Sequence, residues 1–141
     1  MGYKIIVLWV LSGVLAQLIK FVIAYLREKR VDLRRLIEPG GMPSSHSAGA
    51  SALTTAIGLV YGFDSPSFVI ATFFSAVIIY EATGLRRSVG EQAEILNRLL
   101  DELFEGKKFT DTKLQVVLGH TPLEVILGVV MGISFALAFI G

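Results

Sequence analysis

The chain has 141 residues, of which 53% are apolar and only 18% charged, whereas a soluble domain carries about 25% charged residues. That length allows one domain over residues 1–141, with no room for a soluble catalytic module beside a membrane part. Zero cysteines exclude disulfide staples, thiolate nucleophiles and cysteine-rich metal sites, and a net charge of +1 with no long basic face outside the membrane-flanking loops excludes nucleic acid.

A bilayer core of about 30 Å needs roughly 20 largely apolar residues per helix, and four stretches qualify. The first is Ile5–Leu26, interrupted by Ser12, Gln17 and Lys20. Val14-Leu15-Ala16 resembles a signal-peptide cleavage site, but Lys4 is the lone n-region cation and the apolar run continues to Leu26. Ile6 stands where a myristoylation signal wants Ser or Thr. The second stretch, about Ser45–Gly62, is rich in Ala, Gly and Ser; the third is about Ser67–Leu85 and the fourth Pro122–Ile140. Between the last two, Ser88-Val89-Gly90-Glu91 has capping-box spacing. It is expected to open an amphipathic helix with Leu96, Leu99, Leu100 and Leu103 on one face, lying at the membrane surface or against the bundle. Leu114–Leu118 reads as a brief helical turn. The fold expected is an all-α integral membrane protein, a bundle of about four transmembrane helices plus a cytoplasmic amphipathic helix.

Lys and Arg set the orientation. Arg27, Lys29, Arg30, Arg34 and Arg35 follow the first span, and Arg86, Arg87, Arg98, Lys107, Lys108 and Lys113 follow the third. Alternation puts both segments on one side, so both long loops are expected in the cytoplasm and both termini outside.

This topology converges two helix N-termini, both histidines and several cations on one membrane face. Ser44, Ser45 and His46 open the second span, and His120 precedes the fourth. Lys20 and Arg27, seven residues apart, share a helical face, and Arg86 and Arg87 end the third span. Free helix N–H groups beside fixed cations suit an anion, phosphate above all, and histidine adds a group for nucleophilic or proton-transfer chemistry. Simpler roles exist for each residue. Lys20 can snorkel, Arg27 can be an interfacial anchor, and Ser44 or Ser45 an N-cap. Glu124 can orient His120, or act as N3 of the capping box Thr121-Pro122-Leu123-Glu124. Glu81 suits an ion pair with Lys20 or an Arg better than a metal, since the histidines and carboxylates have no recognisable metal spacing. Gly128 and Gly132 form a GxxxG, and Ser47, Ala48, Ser51 and Ala52 are small residues at helical spacing; such contacts serve either one chain or two. Four spans make a thin wall for a lipid pocket, which favours a homodimer.

These residues resemble the type-2 phosphatidic acid phosphatase superfamily, which also includes vanadium haloperoxidases, and within it a small divergent membrane branch. Lys20 and Arg27 match its first element, with Glu28 for the usual Pro. Pro43-Ser44-Ser45-His46 matches the second, with Ser45 for Gly, and His120 with Glu124 the third, with Glu for Asp. The Arg usual six residues before the histidine is absent, Leu114 standing there, and Arg86 and Arg87 are the nearest candidates. The resemblance implies His120 as nucleophile of a phosphohistidine intermediate, Glu124 holding its tautomer, and His46 protonating the leaving oxygen. Lys20, Arg27, Ser44, Ser45 and Arg86 or Arg87 would bind the phosphoryl oxygens, without a metal or other cofactor. The expected function is hydrolysis of a lipid phosphate or prenyl (pyro)phosphate at the cytoplasmic face. A catalytically silent membrane protein that binds anionic lipid head groups or a partner is the alternative, and a transporter, for which no inverted repeat speaks, a weaker third.

Overall fold

The computed structural model describes residues 2–31, 41–83, 85–103, 114 and 119–141, except the side chains of 85–87 and 103. Their regular structure is helical throughout: α1 (Gly2–Glu28), α2 (Ser45–Tyr61), α3 (Pro66–Thr83), α4 (Leu85–Leu103) and α5 (Pro122–Ile140). Local chemistry sets the ends. Ser44 caps α2, its hydroxyl accepting from the Ser47 N–H, and Gly62 at φ 93° ends it by donating to the Gly58 carbonyl. Pro66 opens α3 behind Ser65, whose hydroxyl accepts from the Phe68 N–H at 3.2 Å.

Three helices, α1, α5 and the one opening at Pro66, are long and apolar enough to cross a membrane. The fourth expected span falls short: α2 has 17 residues and so measures about 25 Å. It is the centre of the bundle instead, packed on α1, α3 and α5. Side-chain register fixes the directions. Ile5 and Leu8 near the start of α1 meet Ala52 and Ala56 late in α2, while Ser12 donates to the Ala48 carbonyl at 3.1 Å, so the two run antiparallel. Gly128 of α5 faces Ser44 and Ala136 faces Ala52 and Ala56, so α5 runs parallel to α2. Ser75 of α3 donates to the Ala50 carbonyl at 3.1 Å, and the Ala82 carbonyl accepts from the His120 N–H at 3.0 Å, which makes α3 antiparallel to both.

In lipid there is no hydrophobic drive between helices, so association rests on close packing and hydrogen bonds. The α2–α5 seam is built that way. A Cβ on Gly128 would lie 2.5 Å from the Ser44 carbonyl oxygen, and one on Gly132 would overlap the Ala48 carbonyl and the Ser51 hydroxyl. Ser51 also donates to the Val129 carbonyl at 3.2 Å. The GxxxG is therefore used within one chain. Outward faces carry large apolar side chains such as Val69, Phe73 and Phe139, more than 60% exposed.

α4 begins at Leu85, so Ser88-Val89-Gly90-Glu91 lies inside it and is not its cap. Leu and Arg are strong helix formers, and the helix starts with them, leaving Ser88 exposed. The amphipathic character holds, with Ala93 buried on one side and Glu91, Glu94 and Arg98 exposed on the other, although Leu96 and Leu99 are half exposed. Residues 115–118 of the expected helical turn lie outside the described residues, and Leu114 itself is not helical.

Candidate functional site

The start of α2 is sunk within the bundle. Gly13 faces the Ser45 carbonyl, so α2 begins level with the middle of α1, about 22 Å short of Glu28 at 1.5 Å per residue. Gly41, at φ +85°, lies so close to Lys20 of α1 that a Cβ there would sit 2.8 Å from the lysine Cδ. Pro43 and Ser44 are buried behind it. Non-helical backbone at membrane depth is tolerated where protein encloses it, and Pro43 and Ser44 meet that condition, whereas Gly41 is exposed. The packing of Gly41 on Lys20 was not visible in the sequence, where the glycine stands in the Gly40-Gly41 pair before Pro43.

Several candidate residues gather at this recessed end. Ser44 is fully buried, and its hydroxyl accepts from Ser47 N–H at 3.3 Å and Ser47 Oγ at 3.0 Å. The Ser44 N–H donates to the Glu124 carbonyl at 3.0 Å, which ties the starts of α2 and α5 together. His120 is 3% exposed. Its backbone is held by Ala82, and its Nδ1 lies 3.0 Å from Glu124 Oε2. The same oxygen accepts from the Thr121 N–H at 3.2 Å while the Thr121 hydroxyl accepts from the Glu124 N–H. Orienting the histidine and closing the capping box are thus simultaneous roles of one carboxylate. Lys20 is buried near the same end.

Other candidates stand apart. His46 is exposed and, with the half-buried Ser45, lines a groove between α1 and α3; His120 does not line it. Arg27 is exposed on the last turn of α1. Arg86 and Arg87 belong to the first turn of α4, and their side chains lie outside the described residues. Glu81 is exposed, and no ion pair of it occurs among the described residues, contrary to the pairing expected with Lys20 or an Arg. Its place on the outer surface of α3 accounts for that. Among the described residues, no three His, Asp or Glu side chains come together.

The groove was not foreseen from sequence. It measures about 1040 Å³ and has Trp9, Gly13, Gly49, Leu53, Phe74 and Ile78 among its walls.

Apolar helices around a buried histidine–carboxylate pair and a serine-capped helix start define an all-α membrane protein with a polar junction inside its bundle. The chain belongs to the divergent PAP2 family, which matches residues 1–135. It is similar to YuiD, an uncharacterized membrane protein of Bacillus subtilis (strain 168), with 37% identity over 135 residues covering 88% of this chain and 85% of that protein. No solved structure matches the chain.

Proposed function

We propose that the protein is an integral membrane phosphatase that hydrolyses a lipid phosphate or prenyl (pyro)phosphate through a phosphohistidine intermediate. The observation that carries this reading is His120: buried, backbone-anchored, and paired through Nδ1 with Glu124. A carboxylate on Nδ1 favours the tautomer whose Nε2 lone pair is available for attack on phosphorus. The P–N bond forms as the P–O bond to the lipid breaks, and His46 gives the departing oxygen its proton. Water then attacks phosphorus, releasing phosphate and restoring His120. Lys20 and the start of α2 supply positive potential for the equatorial oxygens. Ser44, Ser45, Arg27 and Arg86 or Arg87 complete the proposed phosphate-binding set, and no metal is assigned a role. By the bias of Lys and Arg, the site opens to the cytoplasm and both termini lie outside.

One observation favours a second reading, a lipid-binding membrane protein without turnover: His46 is exposed in the groove, whereas His120 is buried outside it. Phosphate release separates the two. Purified protein in detergent with EDTA is given phosphatidic acid, phosphatidylglycerol phosphate and a polyprenyl pyrophosphate, with His120→Ala in parallel. Release that disappears in the variant is expected. Release no greater than that of His120→Ala on every substrate overturns the phosphatase and leaves the lipid binder.

A further inference from the structure

We infer that the groove between α1 and α3 is the seat of one hydrocarbon chain of a membrane lipid whose phosphate lies at the Ser45–His46 end. The inference rests on the phosphatase reading only for what the polar end holds; the chain site stands on the groove itself. Among the described residues the Cα atoms of α1 and α3 stay more than 8 Å apart. The gap between them has α2 as its floor, where Gly49 and Ala50 keep the backbone low. Its walls are mainly apolar, with Trp9 and Phe74 on opposite sides and the hydroxyl of Ser67 at the start of α3. Ser75 on the α3 wall has its hydroxyl engaged by the Ala50 carbonyl and Thr54, so it asks nothing of an occupant. At the start of α2 the lining turns polar, with Ser45 and the exposed imidazole of His46. A mainly apolar trough whose hydrogen-bonding groups are concentrated at one extremity, Gln17 with Ser45 and His46, matches an amphiphile.

The floor runs from Ser45 to Ile57, about 18 Å at 1.5 Å per residue, the reach of one hydrocarbon chain. A helix of a second copy is the competing occupant, distinguished by the concentration dependence of binding.

Gly13 is the residue that keeps the trough open near its polar end. The nearest atom to a Cβ built there is the Ser45 carbonyl oxygen, at an ordinary 3.9 Å. A larger side chain is therefore accommodated by the backbone and projects into the groove. This sets it apart from Gly49, whose Cβ would press on the Trp9 indole at 3.0 Å.

Trp9 is the single tryptophan of the chain and reports on the groove directly. The full chain in detergent is titrated with an alkyl phosphate brominated midway along its chain, and indole quenching is followed. Saturable quenching is expected, competed by the unbrominated compound. Gly13→Leu on one wall and Ala71→Leu on the other should each weaken it about tenfold or more, and helical circular dichroism with a melt verifies their folding. Leu11→Phe, on α1 outside the groove, keeps the quenching. A brominated alkyl alcohol that binds equally well overturns the assignment of the phosphate to the polar end. Quenching that never saturates, or that is the same in Gly13→Leu and Ala71→Leu, overturns the chain site. So does quenching governed by protein concentration, the sign of a second copy in the groove. Saturable binding without phosphate release from any lipid keeps the chain site and rejects the phosphatase.

Discussion

One oxygen of Glu124 serves both His120 Nδ1 and the Thr121 N–H, so helix capping and imidazole orientation share a single atom and mutation can separate them. Gln still caps, since either residue closes the box, but it removes the charge that stabilises an imidazolium. We expect Glu124→Gln to change stability by less than about 1 kcal/mol while lowering turnover by roughly 10²–10⁴-fold. Thr121→Ala should do the reverse, losing about 1 kcal/mol of stability with turnover nearly intact. Melting in detergent together with phosphate release reads both, and equal turnover in wild type and Glu124→Gln would remove the carboxylate from the mechanism. In the sequence these two roles competed for the same residue, because a capping box and a histidine four residues before a carboxylate have compatible spacing. Only the turn at Thr121 reveals that they coexist. Lys20 was legible as an intramembrane cation, while its neighbour Gly41 was not, because the need for it arises from a distant helix.

At the scale of elements, the small-residue stripes carry the assembly. Gly132 has no space for a methyl group against Ala48 and Ser51, whereas Gly13 has ample space. Gly132→Ala should therefore destabilise by about 1–3 kcal/mol, as overpacking does, and Gly13→Ala by much less. Unfolding in mixed micelles measures the difference; similar losses at both positions would mean that the α2–α5 seam is not tightly packed. The stripes were visible in sequence, but their partner was not, since small-residue spacing is the same whether the opposing helix belongs to this chain or another. The same degeneracy explains Ser88. Its Ser-x-x-Glu pattern suits a cap or a helix interior equally, and the helix-forming residues before it decide the outcome.

For the whole molecule, the decisive feature is that α2 starts in the middle of the bundle rather than at its edge. Hydropathy and composition pointed to α2 as a span because they count apolar residues and are blind to where a helix begins. Just before α2, Gly41 packs against Lys20, and the Ser44–Glu124 junction lies inside the bundle, well short of the end of α1. Charge bias makes the cytoplasmic side the expected one for this end of the bundle, and the absence of native cysteine makes it measurable. Asp64→Cys lies in the α2–α3 turn, and Arg30→Cys just beyond α1. In intact cells a membrane-impermeant maleimide should label Asp64→Cys and leave Arg30→Cys unmodified until the membrane is opened. The converse pattern would reverse the orientation and move the phosphate end of the groove to the outer leaflet. Its substrate would then be a lipid phosphate exposed outside the cell, with the geometry around His120 unchanged.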